Sequence, residues 1–394
     1  DSLHTLRRNP LNTAPFLDQQ FSLTGYRSMS ERICRWGILS TAGIARKNWK
    51  AIWQAANAAV TAVGSRSVAS SQRFVDECQR EAGFATVPSA HGSYEELLAD
   101  ANVDAVYIPL PTGIRKQWVV RAAEAGKHVL AEKPCGGDAA EVRQMLDACQ
   151  QNGVQYMDGV MFMHSDRLNH VRAALNEIGS LKRISTHHTF CGPDAFLREN
   201  IRLNSSLEPL GAMGDLGWYS IRIILWALDW KLPTRVSSRV LSTFQRDDSP
   251  EPVPMEMSAE LVFEGGVSAN LYCSFITENQ QWVNFGGTDG FVLIPDFVLP
   301  FRGADIEFDV QKSFYNIVGV DFAMERHRET RRVAEYSDGA ANSQETNLFR
   351  TFSDIVLNGK LDPRWGEYSL WTQQVMDACM ESARQDGAAV AMKS

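Results

Sequence analysis

From Arg35 onward, short apolar runs alternate with amphipathic stretches of helical period. Trp36–Leu39, Val60–Val63, Ala105–Ile108, His128–Ala131 and Val154–Met157 read as strands. Helices are predicted over 42–56, over 70–82, over a segment closed by Gly126, and over 139–151. Ser93 and Glu96 have capping-box spacing: the hydroxyl accepts from the Glu96 backbone N–H and the carboxylate reaches back. Strands that alternate with helices require crossover connections, hence a parallel sheet covered on both faces. Strands and helices alternating over about 125 residues match the size of a dinucleotide-binding domain.

After Met157 the rhythm changes. Helices are expected over 166–177 and 217–228. Strand-like runs follow at 182–189, 235–243, 258–263, 267–274, 282–285 and 291–294. Gly265-Gly266 and Asp289-Gly290 fall between neighbouring runs as hairpin turns, so this second sheet should be mainly antiparallel. The mixed-charge run 326–332 reads as a solvated edge strand or loop, and helices over 344–357 and 368–384 finish the chain. The predicted fold class is α/β: a Rossmann-type, doubly wound parallel sheet over 32–158, then an α+β domain over 159–394 with a large open sheet. Residues 1–31, with Pro10 and Pro15 and no periodicity, read as a flexible arm that stays loose or wraps a neighbouring subunit.

Composition narrows the class. The 394 residues are 44% hydrophobic and 22% charged, as in an ordinary globular protein. Lys and Arg total 39 against 47 Asp and Glu, a net charge of −8. A mildly acidic surface repels phosphate backbones and anionic lipid, which argues against nucleic acid or membrane as the main partner. The seven cysteines are scattered without a Cys-x-x-Cys pair, which fits reduced thiols in a cytoplasm. No stretch approaches the roughly 20 apolar residues of a membrane span, and no metal-ligand spacing occurs among the eight histidines.

Candidate chemistry begins where the first strand ends, at Ser40-Thr41-Ala42-Gly43-Ile44. Small residues there let backbone N–H groups at a helix N-terminus approach a pyrophosphate. A Gly-x-Gly-x-x-Gly fingerprint would place glycines at 40, 42 and 45, where the chain has Ser40, Ala42 and Ala45. The second strand ends in Ser65-Arg66 with no acid to take a ribose 2′-hydroxyl, so NADP is favoured over NAD. Pro109-Leu110-Pro111, beyond the strand at 105–108, is a further expected cofactor contact.

Glu132-Lys133-Pro134 follows the strand at 128–131, on the edge where open parallel sheets bind ligands. Pro134 biases Lys133 away from helical geometry. An ammonium there can polarise a hydroxyl or carbonyl at a hydride-transfer carbon. Asp215 and Tyr219, four residues apart at the start of a helix, should share a face, and an adjacent Lys133 should lower the phenol pKa. His164 and Arg202 are candidate substrate contacts, and Cys135 is an accessible-thiol candidate without a base beside it.

The loop at 37–45, Glu132-Lys133-Pro134 and Asp215-x-Gly-x-Tyr219, in that order, resemble the Gfo/Idh/MocA family of oxidoreductases. The resemblance covers about residues 33 to 390, nearest to the dimeric dihydrodiol and D-xylose dehydrogenase branch. It implies a nicotinamide-binding Rossmann domain, a lysine at Lys133 contacting substrate, and a tyrosine at 219 as the acid–base group. It also implies a carboxyl-terminal sheet that makes a homodimer or homotetramer. The expectation is an NADP(H)-dependent oxidoreductase acting on a CH–OH carbon of a sugar, polyol or cyclic diol. Two other readings stand beside it: an enzyme that recycles tightly bound NADP between two sugars, and a non-catalytic NADP-binding sensor or scaffold.

Overall fold

The computed structural model describes residues 32–337 and 339–392, so the predicted arm at 1–31 lies outside the described residues. The described residues from Ile33 onward form one compact unit built on two sheets. The first comprises β1 (Cys34–Leu39), β2 (Ala58–Gly64), β3 (Ser89–His91), β4 (Ala105–Ile108), β5 (His128–Ala131) and β6 (Tyr156–Asp158). All its pairings are parallel, in the order β3-β2-β1-β4-β5-β6. Its helices are α1 (Gly43–Gln54), α2 (Val68–Glu81), α3 (Tyr94–Ala99), α4 (Thr112–Glu124) and α5 (Ala139–Gln151). Every β4 residue is buried, as a strand covered on both faces must be. The capping box forms as expected, Ser93 accepting from the Glu96 N–H and Glu96 from the Gly92 N–H.

The chain then runs through α6 (Arg167–Leu175), β7 (Leu181–Cys191), α7 (Asp194–Glu199) and α8 (Trp218–Ala227). Next come β8 (Arg235–Phe244), β9 (Val253–Val262), β10 (Ser268–Ser274), β11 (Ile276–Gly287), β12 (Phe291–Ile294), β13 (Ile306–Val318) and β14 (Asp321–Val333). Two helices, α9 (Gln344–Asn358) and α10 (Arg364–Arg384), and the short β15 (Val390–Ala391) complete it. The second sheet has nine strands in the order β14-β13-β12-β11-β7-β10-β9-β8-β15. It is antiparallel except where β7 runs parallel to β10. Gly265 and Gly266 both take positive φ, 77° and 82°, in the turn joining β9 to β10. The run 326–332 is the edge strand β14, twice as long as its charges indicate.

Two contacts lock the halves together. α9 returns to the parallel sheet, where Phe349 and Phe352 pack on Trp36 of β1. Deeper, Arg222 of α8 pairs with Asp158 at the end of β6, at 2.5 Å, with both side chains excluded from solvent. Trp218 and Thr372 complete that polar cluster.

Candidate active site

The strand order reverses between β1 and β4, and a cavity of about 740 Å³ opens beyond their carboxyl ends. This is the crevice that a doubly wound sheet offers to ligands. Ala42, Gly43 and Ile44 of the β1–α1 turn form one wall, and Pro109, Leu110 and Pro111 the next. The start of α1 has no side-chain cap on its N–H groups beyond Ala42, and a Cβ on Gly43 would meet nothing. An uncapped N-terminus beside open space suits an anion.

Not every expected residue of that loop faces the cavity. Ser40 and Thr41 lie outside its wall. Ser40, at φ 146°, turns its hydroxyl inward to accept from the Ala42 N–H. Ser65 is likewise occupied, bonded to the Ser67 carbonyl and the Ser71 hydroxyl. Arg66 stands exposed at the end of β2, beyond the cavity, with no ion pair to a described residue.

The other wall carries the charged groups. Met213–Gly217 form a π turn leading into α8, an insertion frequent at functional sites. A Cβ on its Gly214 would lie 3.1 Å from Pro134 Cγ and 2.8 Å from Leu210 Cβ, so glycine lets the turn sit directly on the Lys133-Pro134 segment. Lys133 Nζ donates to Asp215 Oδ1 at 2.7 Å and to the Asp215 carbonyl at 2.8 Å. Arg202 Nε lies 2.8 Å from Asp215 Oδ2. Burial works to raise the Asp215 pKa, but the Lys133 and Arg202 charges overcome it and hold the carboxyl well below the carboxylate range. Lys133 Nζ also stands 4.7 Å from the centre of the Tyr219 ring. Lys133, Asp215, Arg202 and Tyr219 thus meet in one wall, with Glu132 beside them.

Three expectations need correction. The Tyr219 phenol is pushed well above its ordinary range, not lowered, first by burial and then by the charges of Glu132 and Asp215. Lys133 is paired with Asp215 and lies over the ring face rather than beside the hydroxyl, so it does not lower the phenol pKa. His164 is not in the cavity wall: it is half-buried against Trp365, rings stacked 4.6 Å apart, and the desolvation of its ring pushes the imidazole down to about 3. Cys135 is fully buried beside Asp158, its thiol pKa raised by that burial.

Sequence reasoning also passed over several residues. Arg115, buried in α4, hydrogen-bonds the carbonyls of Leu110 and Pro134 and so ties two lining loops together. Glu208 accepts from the Thr112 N–H and hydroxyl at the start of α4. Lys47 of α1 pairs with Glu345 of α9 at 2.5 Å across the cavity edge. His188 of β7 lines the cavity with its ring edge-on to Tyr219, centroids 5.4 Å apart.

Comparison with known proteins agrees with this geometry. Residues 34–160 match the oxidoreductase family with an NAD-binding Rossmann fold, and residues 170–293 match the GFO/IDH/MocA C-terminal domain. A D-xylose 1-dehydrogenase (NADP(+)) of Haloferax volcanii is 34% identical over 255 residues, covering 64% of this chain and 73% of the relative. The chain belongs to the GFO/IDH/MocA family of oxidoreductases. Within that family, the trans-1,2-dihydrobenzene-1,2-diol dehydrogenase of Sus scrofa is 28% identical over 66% of this chain and 74% of its own. Among solved structures, KijD10, a 3-ketoreductase of Actinomadura kijaniata in complex with NADP, superimposes with a TM-score of 0.71. It is 25% identical, and the match covers 89% of this chain and 98% of KijD10.

Proposed function

We propose that this oxidoreductase is NADP(H)-dependent and acts on a CH–OH carbon, or the matching carbonyl, of a sugar, polyol or cyclic diol. The observation that carries this reading is the convergence of Lys133, Asp215 and Tyr219 in one cavity at the switch point of the parallel sheet. The dehydrogenase and 3-ketoreductase relatives support the substrate class and NADP.

The residues fit the cofactor. The uncapped start of α1, with Ala42, Gly43 and Ile44, would hold its pyrophosphate, and Pro109–Pro111 would line the nicotinamide side. Arg66, exposed and free of an ion pair with any described residue, is placed to pair with a 2′-phosphate. When bound, the nicotinamide supplies or accepts the hydride.

In the reductive direction the carbonyl oxygen sits against Lys133 and Tyr219. The Lys133 ammonium polarises it, and Tyr219 donates the proton that completes the alcohol. A phenol held above its ordinary range is fully protonated at neutral pH, the state a proton donor needs. The described partner of that hydroxyl is Met161 Sδ at 3.8 Å, a weak acceptor that leaves the proton available. In oxidation the same groups act in reverse. Asp215 fixes Lys133 and Arg202 in place.

Residues 32–158 act as the cofactor domain and 159–394 as the substrate and assembly domain. Exposed Phe314, Ile317, Val318, Phe322 and Met324 on the outer halves of β13 and β14 support a homodimer or homotetramer. Seven free cysteines support a reducing, cytoplasmic setting. The test is a panel of aldoses, polyols and cyclic diols with NADP+, followed by absorbance of the reduced nicotinamide. No turnover across the panel, in a protein shown to bind NADP+, would overturn the reading.

A further inference from the structure

We propose that His188 determines specificity: its Nε2 accepts a hydrogen bond from a substrate hydroxyl on the carbon next to the reacting one. This rests on the reading of the cavity as a CH–OH oxidoreductase site and names a feature of its substrate.

His188 lies on β7, next to His187. Alternation along the strand sends His187 and His188 to opposite faces: His187 stacks on Trp282, while His188 is buried against Tyr219 and Phe297. His188 Nδ1 lies 3.3 Å from the Leu216 carbonyl, next to Asp215 in the π turn. A carbonyl only accepts, so Nδ1 carries the proton and Nε2 keeps its lone pair. Burial pushes the imidazole down to about 4, so the ring is neutral at physiological pH. Nε2 has no hydrogen-bond partner among the described residues, on a ring that lines the cavity.

The surrounding groups explain why that lone pair matters. Lys133, Arg202 and Tyr219 are donors. The carboxylates in the wall are already committed: Glu132 accepts from Tyr107, Glu208 from Thr112, Asp215 from Lys133 and Arg202, and Glu345 from Lys47. A carbonyl oxygen is served by the donors, but a neighbouring hydroxyl must also place its own proton. A lone pair one ring away from Tyr219 meets that need, and a substrate lacking the hydroxyl gains nothing from it.

The experiment measures binding to the non-reacting NADPH complex by calorimetry for two probe pairs: D-xylose with 2-deoxy-D-xylose, and trans-1,2-cyclohexanediol with cyclohexanol. His188→Phe keeps a ring and removes the acceptor; His188→Gln restores an acceptor oxygen near the Nε2 position. The wild type should prefer the hydroxylated member of a pair by about tenfold. In His188→Phe the ratio should fall towards one, with the deoxy member changed less than about threefold, and His188→Gln should recover most of it. Equal affinity for both members in the wild type, or an unchanged ratio in His188→Phe, overturns the inference and leaves the oxidoreductase reading standing. The wild-type ratio alone decides if the Phe variant does not fold. Binding of no probe overturns the substrate reading and the inference together.

Discussion

The ammonium of Lys133 is shared between the two oxygen functions of Asp215, its carboxylate at 2.7 Å and its backbone carbonyl at 2.8 Å. One residue ends the turn after the fifth strand of the parallel sheet, and the other lies 82 positions later in a π turn. Their pairing brings the cofactor side and the substrate side of the cavity to one point. Lys133→Met removes the polarising charge while leaving the pyrophosphate and 2′-phosphate contacts in place. Turnover should fall by at least about a hundredfold, with NADPH affinity within about twofold of wild type. Single-turnover rates and a fluorescence titration separate the two, and unchanged turnover would remove the lysine from the mechanism.

Tyr219 carries the pH dependence. Its folded pKa lies above the ordinary phenol value of about 10, so its contribution is intact below that value and is lost only as pH rises towards the folded one. Carbonyl reduction should therefore show no loss attributable to Tyr219 between about pH 7 and 9.5. The difference in ultraviolet absorbance between wild type and Tyr219→Phe, followed against pH, reports the phenolate directly. A transition near neutrality would contradict the proton-donor role.

The Arg222–Asp158 pair ties α8, and with it Tyr219, to the end of the parallel sheet. Removing one partner leaves a buried charge uncompensated. Arg222→Met should destabilise the fold by about 3–5 kcal/mol in denaturant unfolding, because among the described residues the Asp158 carboxylate then keeps only Trp218 and Cys135 as side-chain partners. The double variant Asp158→Asn with Arg222→Met should recover part of that loss. A single variant as stable as wild type would show that the pair is not what joins the halves.

What could be read from the sequence follows burial. Strands β1, β4 and β5 are covered on both faces and announce themselves as apolar runs. β3 is three residues, Ser89–His91, with none fully buried, and leaves no apolar signature. Nearly all of β14 is exposed, and its charges pair with those of β13, so the sequence leaves an edge strand and a loop equally open there. At the site, Lys133, Asp215 and Tyr219 are recognisable by their motifs. Their electrostatics are not: the pairing of Lys133 with Asp215, which leaves the phenol unactivated, depends on the π turn. His188 is invisible for a simpler reason. Two adjacent histidines on a strand face opposite ways, and only the packed structure says which one meets Tyr219. Arg115 on α4 belongs to no motif, and its role emerges only with the loops it joins.

The most direct measurement is a fluorescence titration of wild type and Arg66→Ala with NADPH and, separately, NADH. The wild type should bind NADPH at least about tenfold more tightly than NADH, about 1.4 kcal/mol, and Arg66→Ala should lose that preference with NADH affinity unchanged. Equal or tighter binding of NADH by the wild type would contradict the assignment of NADP and of Arg66 as its phosphate partner. Binding of neither, after removal of any nucleotide carried through purification, would contradict the oxidoreductase account itself.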